Sequence, residues 1–247
     1  MYFRDFPKID YRFGDEQLPD RFSNISLYVE IIDEIKNNSS FYTNYYIKEF
    51  ERPDQLSMKM YGTTNYHWTL FLLNDHIRER GWPLTNREII DKAAKDYKYN
   101  VLTTRSPIYD KFKNGQTISG NSSGATGTIA HRHLDLGQLV LSSSSGTFIN
   151  GETVSSTNAS GEIETIIAKS YTEEFNSAHH YEDADGNRID LGVDSETGLL
   201  NDPGALYTEI TYLNRLISMN EELKSIRILK PNSIDGIVSS FRTAIKS

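Results

Sequence analysis

The chain has 247 residues, no cysteine and a formal net charge of −8. A chain of this length can bury a sizeable core in about one to three domains. The lack of cysteine excludes disulfides and thiolate chemistry. No basic stripe is present, which argues against binding to nucleic acid or to anionic membranes. Nine carboxylates and one arginine lie within residues 171–202, so this acidic stretch accounts for the whole net charge.

Residues 1–40 are predicted to form an aromatic arm followed by a helix. Pro7 and Gly14 interrupt any long helix at the start of the chain, and apolar residues at helical spacing predict a helix over 26–36. An aromatic-rich terminus either packs on its own domain or anchors in a partner. The aromatic residues of the arm that we take as candidates for contact with a partner are Phe3, Phe6 and Tyr11.

Residues 41–104 begin with an aromatic and β-branched stretch that predicts a strand. Pro53 is suited to the first turn of a helix, and Gly62 to the left-handed residue that ends it. A second helix over about 65–74 is apolar on nearly every side, which predicts burial of Trp68. A third helix follows over about 85–97. A strand that completes the sheet is expected at 99–103 or elsewhere in the chain.

Short motifs in this region carry two resemblances. Three of them resemble LysM repeats: Pro53-x-x-Leu56, Tyr61-Gly62-Thr63 and Leu72-Leu73-Asn74. A larger ordered set resembles a baseplate wedge subunit of T-even-like contractile-tailed bacteriophages, which carries a LysM-like fold. The additional motifs are Tyr45-Tyr46-Ile47-Lys48, Arg52-Pro53 and Tyr66-His67-Trp68. This second resemblance covers about residues 1–100 and again about 177–247.

The resemblance to the wedge subunit implies a structural, non-enzymatic protein without cofactor or metal. It implies a subunit that joins or clamps neighbouring wedge proteins around the tail hub. The implied partners are other wedge proteins and hub-proximal tail proteins. The implied location is the tail baseplate of the virion, reached from the host cytoplasm during assembly. The N-terminal sequence MYFRDFPKID agrees, because it lacks the apolar core of a signal peptide.

Residues 105–170 are rich in glycine, serine and threonine and contain an internal repeat. The sequence FKNGQTIS at 112–119 recurs as FINGETVS at 148–155. Each copy combines an Asn-Gly pair with alternating β-branched residues, which is the pattern of a β-hairpin. We therefore predict a small antiparallel β-domain inserted between the LysM-like module and the rest of the chain.

Residues 171–247 are predicted to contain an acidic hairpin segment and C-terminal helices. Asp183-Ala184-Asp185-Gly186-Asn187 indicates a hairpin turn, and apolar residues from Leu206 to Leu223 predict one helix of about twenty residues. A last helix is predicted over about 233–246. Leu213 and Ile217 on the helix of about twenty residues, and Trp82 in the turn before Pro83, are expected to contact other subunits. Altogether the chain is predicted to be α+β, with a LysM-like βαα core.

Three other kinds of site are weighed against this interpretation. The Asp183 segment departs from a calcium loop in the positions of its glycine and last acidic residue. The pairs His131/His133 and His179/His180 lack a third zinc ligand at natural spacing, so ordinary surface histidines are favoured. Glu49 and Glu51 share one strand face at a separation compatible with glycoside hydrolysis, but nothing nearby predicts a cleft. The alternative function is a LysM-type peptidoglycan-binding protein of the tail or host, so glycan contact stays open.

Overall fold

A computed structural model describes residues 8–12, 14, 18–23 and 35–246 of the protein. It is 30% helical and 32% strand, so the predicted α+β class is confirmed. The chain divides into two compact units: the first comprises Met1–Thr85 and Met219–Ser247, and the second comprises Asn86–Ser218. Phe3, Phe6 and most of the helix predicted over 26–36 lie outside the described residues, although residues 35–37 are helical.

The first unit is built on a two-stranded antiparallel sheet. Strand β3 (Tyr42–Tyr46) pairs with β13 (Ser225–Leu229), which comes from the other end of the chain. The strand that completes this sheet is therefore the apolar run near the C-terminus, not 99–103. A separate hairpin of β1 (Lys8–Tyr11) and β2 (Asp20–Ser23) belongs to the same unit.

Helices between and after these strands cover the sheet. They are α1 (Pro53–Tyr61), α2 (His67–Leu73), α3 (Asp75–Arg80) and α6 (Ile234–Lys246), with a 3₁₀ turn at Thr64–Tyr66. The predicted ends of α1 are confirmed: Pro53 is its first residue, and Gly62 has φ +71° and donates its N–H to Met58 O. Trp68 is 7% exposed and packs on Phe241 with ring centroids 5.3 Å apart, as its apolar surroundings predicted.

At the centre of β13, the outer strand edge is closed by the side chain of Asn74. Its Nδ2 donates to the carbonyl oxygens of Leu70 and Arg227, both at 2.7 Å. Its Oδ1 accepts the N–H of Arg227 at 2.8 Å. A buried strand edge needs such partners, because unpaired backbone groups away from water are costly. Asn74 therefore joins α2 to the sheet and satisfies the edge of β13 at the same time.

The second unit contains a closed six-stranded barrel in the strand order β4-β7-β6-β5-β8-β9, with antiparallel neighbours throughout. Its strands are β4 (Asn100–Thr104), β5 (Thr117–Gly120), β6 (Thr126–His133), β7 (Gln138–Ser145), β8 (Thr153–Thr157) and β9 (Ile163–Glu173). Closure leaves no free strand edge. These strands extend beyond the predicted 105–170, because β4 bonds to β7 and β9 and so belongs to the barrel.

The internal repeat forms an approximate two-fold relation within the barrel. Equivalent residues Ser119 and Ser155 are Cα partners between the antiparallel strands β5 and β8. The turn glycines are equivalent too: Gly115 has φ +86° and Gly151 has φ +83°, a conformation that glycine adopts without strain. Each precedes the first strand of its hairpin and donates its N–H to the second strand: Gly115 to Ile129 O on β6 at 2.7 Å, and Gly151 to Ala168 O on β9 at 2.8 Å. The two copies therefore form matching hairpins, β5–β6 and β8–β9.

The rest of the second unit comprises a helix, a small sheet and part of another helix. Helix α4 (Asn86–Asp96) confirms the third predicted helix. A three-stranded sheet has the order β11-β10-β12, formed by Arg188–Ile189, Ala178–Glu182 and Thr208–Thr211. The turn predicted at Asp183 joins β10 to β11. Helix α5 (Tyr212–Lys224) follows β12 directly, and the division between the units falls within it.

The helix predicted from Leu206 to Leu223 is wrong in its first third. Leu206 precedes β12, and Ile210 lies in β12 itself. The segment Thr208–Thr211 contains two threonines and an isoleucine, which favour a strand, and it gains backbone hydrogen bonds from β10. The apolar spacing of four and three across this boundary matched a helix by coincidence.

Candidate interaction surfaces

One loop of the first unit presents an aromatic residue in an unfavourable backbone conformation. Residues 47–52, here called the Phe50 loop, connect β3 to α1. Phe50 has φ +63° and its side chain is 76% exposed. A bulky residue in the left-handed region is uncommon and costs roughly 1–3 kcal/mol. Because the Phe50 side chain is exposed, its packing within the protein does not offset this strain. Phe50 is therefore a candidate contact residue for a partner protein.

The conformation of the Phe50 loop is held by the next residue, Glu51. Its carboxylate accepts hydrogen bonds from Tyr45 OH at 2.9 Å, from Lys59 Nζ at 3.0 Å and from the N–H of Lys48 at 3.2 Å. The carbonyl oxygen of Glu51 accepts Trp82 Nε1–H at 2.7 Å. Four bonds on one residue fix the backbone on both sides of the turn that carries Phe50.

The same contacts bear on the hydrolase interpretation of Glu49 and Glu51. Burial raises the pKa of Glu51, but the hydrogen bonds from Lys59, the Lys48 N–H and Tyr45 outweigh burial and hold the pKa below its ordinary value. A general acid of a glycosidase needs a raised pKa. Glu51 is therefore an ionised structural anchor in this environment.

Trp82, predicted as a contact residue, lies partly buried in the first unit. Its ring packs on Phe71 with centroids 5.8 Å apart, and its indole N–H is bonded to Glu51. The ring thus supports the Phe50 loop from behind. Sequence reasoning selected Trp82 and missed Phe50, because no sequence pattern marks a phenylalanine that adopts a left-handed conformation.

Tyr11, the described member of the predicted aromatic contacts of the arm, is 54% exposed on β1. Other apolar side chains of the β1–β2 hairpin and its connection are exposed as well: Ile9, Leu18 and Phe22. An isolated two-stranded hairpin is at best marginally stable in water. Packing against another surface would bury these exposed apolar side chains.

The apolar stripe predicted along the C-terminal helix is divided in the structure. Leu213 is half-buried and Ile217 is 37% exposed, both in the part of α5 that belongs to the second unit. Leu223 is instead 8% exposed in the core of the first unit. Leu206 is 80% exposed but lies outside the helix. Ile217 therefore remains the exposed apolar position on this helix face.

Metal sites were weighed at Asp183 and at the histidine pairs. The Asp183 carboxylate accepts the N–H groups of Asp185 at 2.9 Å and Asn187 at 2.8 Å, as expected for an ordinary turn. Within the described ranges, no group of three or more His, Asp or Glu side chains could hold a metal ion. The described part of the chain also contains no helix long and apolar enough to cross a membrane.

A comparison with known protein families finds a match to part of the chain. Residues 7–117 match the model of a family described as base plate wedge protein 53. The match starts just before β1 and includes the Phe50 loop, helices α1 to α4 and strand β4. The C-terminal stretch 177–247, where the same resemblance is expected from the sequence, lies outside the matched residues. No curated protein matches the chain.

Proposed function

We propose that the protein is a structural subunit of a phage tail baseplate wedge, which joins or clamps neighbouring wedge proteins around the tail hub. The observation that carries this proposal is the match of residues 7–117 to base plate wedge protein 53. The proposed partners are other wedge proteins and hub-proximal tail proteins. The proposed location is the virion tail, after assembly in the host cytoplasm.

The proposal includes a LysM-like core in the first unit. The order β3, α1, α2 and then β13 supports this, since two short helices lie between the two strands of one antiparallel sheet. The second unit is inserted between α3 and β13, so the module is discontinuous in sequence.

A subunit that clamps others must contact more than one neighbour. Exposed apolar side chains on three separate segments support this: Tyr11 on the arm, Phe50 on its loop and Ile217 on α5. Apolar and aromatic side chains are enriched where protein interfaces are fully buried. Phe3 and Phe6 are proposed to add to the contact made by the arm, while Leu213 supports Ile217 and Trp82 supports Phe50.

The test is to image virions of the phage that encodes this protein. Antibodies raised against the barrel segment 100–173 would be used as an electron-dense label, with virions that carry a known baseplate label as reference. The expected result is label at the baseplate. Label on the capsid or along the tail sheath would contradict the proposal.

Binding to purified peptidoglycan provides a second measurement. The full-length protein is expected to stay in the supernatant after sedimentation of the peptidoglycan. Saturable retention would favour the alternative function of a LysM-type peptidoglycan-binding protein.

A further inference from the structure

Four of the six histidines of the chain meet in the second unit. His131 and His133 lie on β6 of the barrel, with ring centroids 5.2 Å apart. His179 and His180 lie on β10 of the three-stranded sheet, with ring centroids 5.0 Å apart. The proposed function uses none of these residues. Their clustering places four imidazole rings between the barrel and the sheet.

The hydrogen bonds of the β10 pair depend on its protonation. His179 Nδ1 lies 2.8 Å from His180 Nδ1, and His180 Nε2 lies 2.9 Å from Glu182 Oε1. If His180 donates from Nε2 to the carboxylate, one of the two facing Nδ1 atoms must accept while the other donates. When both rings are doubly protonated, both Nδ1 atoms carry hydrogen and the bond between the rings is lost.

The first residue of α5, Tyr212, connects the two histidine pairs. Its hydroxyl lies 3.4 Å from His133 Nε2, and its ring lies edge-on to His179 with centroids 5.0 Å apart. Its ring also packs on Tyr97 at 4.5 Å. Tyr212 follows β12 directly, so these contacts hold β10, β12 and the start of α5 against the barrel.

Two further contacts join the same segments. Gln138 Nε2, on β7, donates to the carbonyl oxygen of Ala178 at 2.9 Å. Arg188, on β11, lies 3.8 Å from the Asp135 carboxylate. The second contact is exposed and contributes little stability. The histidine and tyrosine contacts therefore share this attachment with the buried hydrogen bond from Gln138.

The charged groups around the cluster disfavour additional positive charge at two of its rings. Burial lowers the pKa of His133, the neighbouring His131 lowers it further, and Asp135 and Glu174 oppose the shift. Burial also lowers the pKa of His179, followed by the charges of Arg215, His180, Arg188 and His133. Glu182 lies beside His180, and Glu174 Oε1 lies 3.9 Å from His131 Nε2. Carboxylates thus face His131 and His180, whereas His179 faces mainly cations.

We propose that this cluster is an acid-sensitive attachment: accumulation of positive charge on its histidines, first of all on His133 and His179, releases β10, β12 and the first turn of α5 from the barrel. The barrel itself stays folded, because its core cluster consists of apolar side chains. The pKa values of both histidines in the folded state lie below the ordinary value of 6.5. Their contribution to stability is therefore complete above that pH and is lost as the pH falls below it.

The test is hydrogen exchange of the full-length protein measured by mass spectrometry, corrected for intrinsic exchange rates. Peptides covering 178–182 and 208–215 are expected to exchange clearly faster at about pH 5.5 than at about pH 7.5, because the protonated histidines no longer hold these segments against the barrel. Peptides covering β7 are expected to keep their protection. The double variant His133→Gln/His179→Gln should lose this pH dependence, and His67→Gln, in the first unit, should retain it.

A second variant keeps the test decisive if the double variant does not fold. Arg215 is exposed and faces His179, so Arg215→Gln should fold and should shift the release to lower pH. An unchanged pH midpoint in Arg215→Gln would overturn the proposal. Acid-induced exchange that is the same in the double variant, or that spreads equally over β7, would also overturn it.

Discussion

At the residue scale, two phenylalanines with positive φ differ in whether burial of the side chain offsets the backbone strain. Phe112 has φ +54° and is fully buried in the barrel core, so its burial offsets the strain. Phe50 has φ +63° and is 76% exposed, so no burial within the first unit offsets it. The difference suggests that burial of Phe50 occurs in an assembly.

Phe50→Asn tests this role, because asparagine tolerates the left-handed region better than phenylalanine. The unfolding free energy of the isolated protein is expected to stay the same or rise by up to about 1 kcal/mol. Co-purification with the wedge proteins of the same phage is expected to fall. Ile163→Thr is the matched control, since Ile163 is 75% exposed on the barrel and is not a proposed contact. A clear loss of stability in Phe50→Asn would show that Phe50 supports the fold instead.

Glu152 is a buried carboxylate that organises the β5–β6 turn. It accepts the N–H of Ile149 at 2.6 Å, the hydroxyl of Ser123 at 2.9 Å and the N–H groups of Ser123 and Ser122 at 3.0 Å and 3.1 Å. Burial raises its pKa, but the N–H groups of Ser123 and Ile149 and the other bonds outweigh burial and hold the pKa below the ordinary 4.5. Its contribution to stability is therefore present above pH 4.5 and decreases as the pH falls below it.

Glu152→Gln should lower the unfolding free energy at neutral pH by about 1.5–3 kcal/mol, the range for hydrogen bonds to a charged group. The difference from the wild-type protein should shrink in thermal melts recorded below about pH 4. Glu162→Gln removes an exposed carboxylate of the same hairpin pair and should have little effect at either pH. If the stability difference between Glu152→Gln and the wild-type protein does not change with pH, the negative charge of Glu152 does not stabilise the fold.

At the scale of elements, β13 depends on a side chain from outside the sheet. Asn74→Ala leaves the N–H and C=O of Arg227 without partners at the edge of β13, and it also removes the bond to Leu70 O. The expected cost is about 2–4 kcal/mol of unfolding free energy, measured by urea denaturation. Asn44→Ala, at the paired position of β3, is the control and should cost much less, because Asn44 is exposed.

Helix α5 supplies the second proposed interface element. Ile217→Asp should weaken co-purification with other wedge proteins strongly, because burial of an isoleucine side chain contributes about 1.5–3 kcal/mol. The melting temperature of the isolated protein should change little, since Ile217 is 37% exposed. Leu223→Asp on the same helix should unfold the first unit. If Ile217→Asp unfolds the protein to the same degree, the residue is internal core and the interface assignment is wrong.

Elements with strong local signals were predicted from the sequence, and elements that depend on distant partners were not. Pro53 and Gly62 fixed the ends of α1 because each acts through its own backbone. The alternating residues after each Asn-Gly pair form β5 and β8 as predicted, but the pairs themselves precede these strands and are not the turns of the β5–β6 and β8–β9 hairpins. In contrast, the apolar periodicity of the β12 segment predicts a helix. The segment is a strand because it pairs with β10, which the local sequence does not reveal. The left-handed Phe50 depends on Glu51, Lys59 and Trp82, and no local pattern reports such a set of contacts.

At the scale of the molecule, the second unit is an insertion between closely spaced positions of the first. Asn220 Oδ1 accepts the N–H of Leu84 at 2.7 Å, and its Nδ2 donates to Leu84 O at 3.0 Å. The ends that border the insertion are therefore hydrogen-bonded neighbours within the first unit. Such positions tolerate removal of an inserted domain.

Replacement of residues 86–218 by a short Gly-Ser linker should leave a folded first unit. Cooperative thermal unfolding and dispersed amide signals in NMR spectra are the expected readouts. Asn220→Ala in the shortened chain is the comparison, and it should unfold at a lower temperature. A shortened chain without a cooperative transition would show that the first unit requires the inserted residues to fold.

The pairing of β3 with β13 also sets the order in which the protein forms during translation. Tyr46 pairs with Ser225, and at about 5–20 residues per second the ribosome needs about 10–35 s to synthesise the intervening chain. The barrel strands span Asn100–Glu173 and can close well before β13 leaves the ribosome. Until then, Leu56, Leu70 and Ile77 lack the isoleucines of β13 that complete their cluster. A nonsense mutation shortly before Ser225 should therefore yield a chain in which the barrel is closed, while the first unit exposes apolar side chains, aggregates and is cleaved by proteases.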